Sequence, residues 1–299
     1  MNSPGQTPPN FHKILFAVDG SPETAAATNA VGALAALSQT QVKVLHVWNT
    51  EVGSRRGRWD VATHAQARQL VDGIAERLSA KGLNVTTGLR AARQDRIAEE
   101  IALGAGEFGA DVVALGSRGR SDLGAMLLGS VSHQVLRLVH CPVLIARLAN
   151  DQRQRTEIKR VLLAVATGDE VPHAVEAVTA VARGTSAKVQ VLHVRNLAVA
   201  EGMAWVESNE DSGAFVTGVV RQLRAAGVSA EGRVASPSRY VANDIATAAD
   251  QWDADLIVIG SRRLSELGGL LASSVSHEVI HVADHPVLVA ELSAARAGD

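Results

Sequence analysis

The chain has 299 residues, 29 basic against 31 acidic side chains and a single cysteine, Cys141. That length accommodates two domains with separate cores, and the balanced charge gives no basis for a polyanion partner, so no nucleic-acid binding is expected. One cysteine excludes an intrachain disulfide framework; no apolar run approaches bilayer-spanning length and the opening MNSPGQTPPN lacks the regions of a secretory signal, so a cytoplasmic protein without membrane insertion is expected.

Residues 1–11 are polar and proline-rich and read as a disordered leader. Lys13 to Asp19, KILFAVD, is a continuous apolar run of the kind found in strands covered on both faces. Ser21-Pro22 then supply an N-cap and a first helical position, and Ala27, Val31, Leu34 and Ala35 recur at helical spacing up to Leu37. A second strand is expected over Val42 to Trp48. It is followed by a basic loop with Arg55, Arg56 and Arg58, and by a helix to about Ala80 carrying Ala67, Leu70, Val71, Ile74 and Leu78, closed by Gly82. Val85 to Leu89 is the third strand. Asp95 is placed to cap a helix bearing Ile97, Ile101, Ala105 and Phe108, and Asp111 to Leu115 is the fourth strand. A glycine-rich stretch from Gly116 leads into a helix with Val131, Val135, Leu138 and Val139 on one face, and Pro142 to Ala146 is the fifth strand. Five strands alternating with four helices predict an α/β domain, a parallel sheet with helices on both faces.

The order then repeats. Leu192-His193-Val194 answers Leu45-His46-Val47 at an offset of 147, and DADLIVIG at 253–260 answers GADVVALG at 109–116 at an offset of 144. His285 to Val289 likewise answers Cys141 to Ile145. The chain is therefore a tandem repeat, with domains expected over 12–147 and 157–291, a polar linker at 148–156 and a tail at 292–299.

In an open parallel sheet, ligands sit beyond the carboxyl ends of the strands where the strand order reverses. Asp19 ends strand one and Gly116 ends strand four, so a reversal between them places both at one crevice. Asp19 can accept hydrogen bonds from a base or sugar, or can simply cap the turn before the next helix. Gly116 and Gly119 permit close backbone approach to a ligand, and the helix start at Gly129-Ser130 presents free amides to an anion. Ser130 is an N-cap candidate, and both Ser130 and Ser132 can meet phosphate oxygens. Arg118 and Arg120 either neutralise phosphate or are solvated loop residues, and the arginines at 55–58 either close over a nucleotide or remain in solvent. His46 with His193, and His133 with His277, fall at matching positions and are expected to be structural, with no compact ligand spacing among the histidines. Cys141 is expected to be inert. No general base, metal pair or water-positioning group stands out, so no catalytic residue is assigned.

Gly116, Gly119, Gly129 and Ser130 reproduce a pattern of Gly, two residues, Gly, nine residues, then Gly followed by Ser or Thr. With Asp19 after strand one and the closing Pro142-Val143-Leu144 strand, this resembles the ATP-binding members of the universal stress protein family, over 11–147 and 157–291. The resemblance implies two tandem Rossmann-like five-stranded sheets of order 3-2-1-4-5, with ATP, accompanied by Mg2+, between strands one and four. It also implies contacts from Ala17 and Asp19 near adenine or ribose, Val47 near the base, and Leu115-Gly116 under the nucleotide. Gly119 and Gly129-Ser130-Val131-Ser132 would surround phosphate. The two halves would pair within the chain like a covalent dimer, which leaves a homodimer of whole chains as a further assembly. In the second half Gly260 is kept, but Arg263 stands in place of Gly119, Ser273 in place of Gly129 and Ala166 in place of Asp19. The expectation is one nucleotide site, in the first half, serving a nucleotide-dependent regulatory or protective role through an unknown regulatory protein. The alternatives are a slow ATP hydrolase and a nucleotide-independent stress adaptor.

Overall fold

The computed structural model describes residues 11–36, 40–49, 64–117, 129–147, 156–195, 197–200, 203–236, 238–261 and 275–291. Residues 1–10, the linker residues 148–155 and the tail 292–299 lie outside them.

In the first half, β1 (Lys13–Ala17), β2 (Gln41–Asn49), β3 (Asn84–Ala92), β4 (Val112–Gly116) and β5 (Val143–Ala146) alternate with four helices: α1 (Pro22–Ala35), α2 (His64–Ser79), α3 (Ile97–Phe108) and α4 (Ser130–Leu138). All pairings among these strands are parallel, in the spatial order 3-2-1-4-5. The second half repeats the pattern with β6 (Arg160–Ala164), α5 (Val171–Thr185), β7 (Lys188–Val194), α6 (Asn209–Ala225), β10 (Ala230–Ala235), α7 (Val241–Trp252), β11 (Leu256–Ser261), α8 (Val275–Val282) and β12 (Val287–Glu291). It also contains an antiparallel hairpin of β8 (Leu197–Ala200) and β9 (Met203–Val206), which the sequence repeat did not foreshadow.

The pleat explains the continuous apolar runs. Ile14, Phe16, Val44 and Val112 face a core built with Val31 and Leu34 of α1 and Val71, Ile74 and Leu78 of α2. The intervening Leu15, Ala17, Leu45 and Val113 face the other way, onto Ile101 and Ala105 of α3 and Val135 of α4. Successive strand residues point to opposite faces, so a strand covered on both sides has to be apolar throughout. Phe11, just ahead of β1, is also buried, and its carbonyl accepts a hydrogen bond from Thr40 Oγ1 at 2.8 Å. Asp111 Oδ2 accepts the amides of His12 and Lys13 at 2.8 and 2.9 Å, tying the start of β1 to the start of β4. Asp255 repeats the device, accepting from Lys159 and Arg160 at 2.7 and 2.8 Å.

The two five-stranded sheets join edge to edge. β5 and β12 pair antiparallel, Val143 opposite Val289 and Ile145 opposite Val287, giving one ten-stranded sheet. Arg147 reinforces the junction by donating to the carbonyls of Ile280, His281 and Ala283 at the carboxyl end of α8, where a cation also complements the helix dipole. Beside it, His133 of α4 meets His277 of α8 edge to face, with ring centroids 5.3 Å apart.

Three local expectations are corrected. Asp95 does not cap α3: it sits inside a 3-10 turn over Gln94–Arg96 and lies 3.6 Å from the Arg93 guanidinium, while Arg96 occupies the capping position without a side-chain bond. Leu138 is 41% exposed, because α4 ends there and only Val135 and Val139 of the expected face are buried. Ser21 holds the N-cap position ahead of Pro22 as expected, but its hydroxyl caps no amide; Asp19 instead accepts the Ser21 amide in the turn before the helix.

Candidate functional site

The strand order reverses between β1 and β4, and their register sets Ala17 directly beside Leu115. Both are buried and face the α3 and α4 side. Val47, at the end of β2, is buried on the same side. These three residues form the apolar floor at the carboxyl ends of the strands, where such sheets hold ligands.

Asp19 stands two residues past Ala17. Its Oδ1 accepts the Ser21 amide at 3.0 Å and the Thr24 hydroxyl at 3.2 Å, so one carboxylate oxygen is engaged in the turn that starts α1. That is the capping alternative of the sequence reading, and it holds the carboxylate at the rim of the crevice. Gly20 takes φ 79°, a left-handed conformation that suits glycine. The second half has Ala166-Thr167 here, so it lacks both the carboxylate and the glycine.

Gly116 has a different physical reason from the one its motif suggested. A β-carbon there would lie 3.1 Å from Glu23 Cβ and 3.2 Å from the Glu23 carbonyl carbon. Gly260 meets Glu170 in the same way, at 2.9 Å from its Cβ and 3.1 Å from its carbonyl oxygen. Glycine at this position lets the first turn of α1 or α5 pack on the strand end. This packing role explains why it persists in the half whose other motif glycines are gone.

The opposite wall is the start of α4. Gly129, at φ −56° and ψ 143°, occupies the capping position, and Ser130, expected as the cap, is instead the first helical residue and exposed. Its extended backbone is open to any residue, so Gly129 is not required for its dihedral angles. The amides of Ser130, Val131 and Ser132 belong to the first turn and have no carbonyl partner within the helix. Ser132 is buried and donates from Oγ to the Gly116 carbonyl at 3.4 Å, pinning the helix start to the end of β4; Ser276 repeats this with Gly260 at 2.7 Å. The hydroxyl oxygen keeps its acceptor capacity, but this bond is the one the fold itself requires. Val131 is half-buried beside it. Arg118, Gly119 and Arg120 lie outside the described residues, as do Arg55, Arg56, Arg58, Arg263 and Ser273.

Two further groups stand at the crevice: Ser117, which the sequence reading did not single out, and His46, which it expected to be structural. Ser117, directly after Gly116, is buried, and its hydroxyl has no hydrogen-bond partner among the described residues. His46 donates from Nδ1 to the Val18 carbonyl at 2.6 Å, leaving Nε2 buried and without a partner among the described residues. Burial pushes the His46 pKa below its ordinary value, against the opposing pull of the Val18 bond and the Asp19 charge. The counterpart His193 donates to Val165 at 2.9 Å but has Glu207 Oε2 2.8 Å from its Nε2, and Phe215 packs against its ring. In the second half Glu207, which directly follows β9, closes over the histidine; the corresponding position in the first half, Asp60, lies outside the described residues.

Comparison with known proteins gives one consistent result. The model of the universal stress protein family matches residues 10–147 and 157–291. A universal stress protein of Mycobacterium tuberculosis (strain H37Rv) is 28% identical over 312 aligned positions, covering 96% of this chain and 99% of its own. The universal stress protein YxiE of Bacillus subtilis is 35% identical over 150 positions, covering 46% of this chain and 99% of its own. Among solved structures, a universal stress protein from Archaeoglobus fulgidus superposes with a TM-score of 0.74 at 21% identity, covering 94% of this chain and 98% of that one. Among the described residues no helix is long and apolar enough to cross a membrane.

Proposed function

The chain belongs to the universal stress protein family, and from that premise we propose that it binds ATP, accompanied by Mg2+, in its first half and acts as a nucleotide-dependent regulatory or protective protein. The observation that carries this reading is the crevice between β1 and β4, with Ala17 and Leu115 side by side on its floor, Asp19 on one wall and the first-turn amides of α4 on the other. Adenine and ribose would lie over Ala17, Val47 and Leu115, with Asp19 accepting from the sugar. The phosphates would meet Gly119, Arg118 and Arg120 and the amides of Ser130, Val131 and Ser132, where the helix dipole favours an anion. Gly129 would allow the triphosphate to approach the backbone closely.

The second half serves as a scaffold or regulatory partner in this account. It retains the packing glycine, Gly260, but not Asp19 or the two other motif glycines, and Glu207 sets a carboxylate over its crevice. Pairing through β5 and β12 takes the place of a dimer, because joining the halves covalently raises their effective concentration. Binding biases partner choice only as far as ATP favours one conformational state over another. Any ATP hydrolysis is slow in this reading: among the described residues at the crevice, the basic atom without a partner, His46 Nε2, is buried.

Calorimetric titration of nucleotide-free protein with ATP, ADP and AMP tests this reading. One equivalent of ATP per chain is expected. Two equal sites per chain would contradict the asymmetry, and the absence of binding by any of the three nucleotides would leave the nucleotide-independent adaptor. Turnover well above that of an Asp19→Ala variant would favour the hydrolase.

A further inference from the structure

The expectation that the histidines have no compact ligand spacing is wrong at one place. Residues 277–281 read His-Glu-Val-Ile-His, an HExxH sequence, and they lie within α8. Histidines four apart on a helix share one face, and here their Nε2 atoms are 3.4 Å apart. That is long for a hydrogen bond between two imidazoles, but it matches a metal chelate. Two nitrogens about 2.0–2.1 Å from a metal at the tetrahedral angle lie about 3.3–3.4 Å apart. At a square-planar right angle they would be only about 2.8–2.9 Å apart.

We propose that His277 and His281 form a Zn2+ site in the second half, on the face of α8 that meets the first half. Imidazole nitrogen suits zinc, and the spacing favours tetrahedral zinc over square-planar copper or nickel. Among the described residues no three metal-ligating side chains gather at one point, so the described residues supply two ligands, with water at the remaining positions. This makes the site a moderate-affinity one with open coordination. His133 of α4 packs its ring on His277 at 88° and holds that imidazole from the other half. The first half has no equivalent, because Arg137 occupies the position that corresponds to His281.

The test is calorimetric titration of tag-free, chelator-treated full-length protein with zinc chloride, with zinc-dependent thermal unfolding as a second readout. One equivalent per chain with a micromolar dissociation constant is expected. His281→Arg, which copies the residue the first half carries at the same place, and His277→Gln should each weaken zinc binding at least about tenfold and abolish the thermal shift. Circular dichroism and the apo unfolding temperature verify that both variants are folded. Absence of zinc binding by the wild-type chain, or undiminished binding by a folded His281→Arg variant, would overturn the proposal.

Discussion

Alanine at the two retained glycines tests whether that motif position serves packing. At Gly116 the added β-carbon would sit 3.1 Å from Glu23 Cβ and 3.2 and 3.3 Å from its carbonyl carbon and oxygen, two of them backbone atoms that cannot swing aside. At Gly260 the neighbours are closer, Glu170 Cγ at 2.8 Å and Cβ at 2.9 Å, with the carbonyl oxygen at 3.1 Å. Overpacking of this kind costs about 1–3 kcal/mol. Neither glycine has a positive φ, so alanine is sterically allowed by the backbone and recovers about 0.4–1 kcal/mol by restricting the unfolded chain. The net loss should be about 0.5–1.5 kcal/mol for Gly116→Ala and about 1–2.5 kcal/mol for Gly260→Ala. At about 2–4 °C per kcal/mol, both shifts are measurable by thermal unfolding, and urea titration supplies an independent value. Two neutral substitutions, or a milder effect at Gly260 than at Gly116, would refute the packing argument.

Two further perturbations address the crevice and the junction. Burial lowers the His46 pKa in the folded state, so the unfolded chain takes up a proton first as pH falls through about 6.5, and the contribution to stability is complete above that value and declines below it. His46→Gln should flatten the dependence of stability on pH between about 7 and 5, and an unchanged slope in urea denaturation would contradict the assignment. Arg147→Met removes the donor shared by three carbonyls at the end of α8, and should cost about 1–3 kcal/mol. Amide exchange should accelerate in β5, β12 and α8 rather than in β3; uniform or absent acceleration would show that Arg147 does not hold the junction.

Much of the architecture was legible because its cause is local. KILFAVD and GADVVALG are apolar on both pleat faces, and the matching segments 147 and 144 residues further on reveal the duplication directly. The β8–β9 hairpin was not, since it lies where those offsets diverge, and the corresponding residues 50–59 of the first half lie outside the described residues. Asp95 was misjudged because a 3-10 turn intervenes before α3, and Leu138 because helical periodicity does not report where the helix ends. Asp19 and Gly116 could be placed at the ends of strands one and four from the apolar runs, whereas the strand order and the places of Ala17, Val47 and Leu115 followed from the family resemblance. The contact that requires glycine at 116 was invisible, since Glu23 comes from another element. The histidine pair in α8 is legible in the sequence as HEVIH, but the repeat covers only half of it: His277 answers His133, whereas His281 answers Arg137.

The central claim is that the first half alone keeps a phosphate-compatible glycine loop. It is tested most directly by titrating ATP into a Gly119→Arg variant, which copies the residue found at 263. Affinity should fall at least about tenfold, about 1.4 kcal/mol, with an unchanged unfolding temperature in the absence of nucleotide. ATP binding as tight as that of the wild-type chain would contradict it.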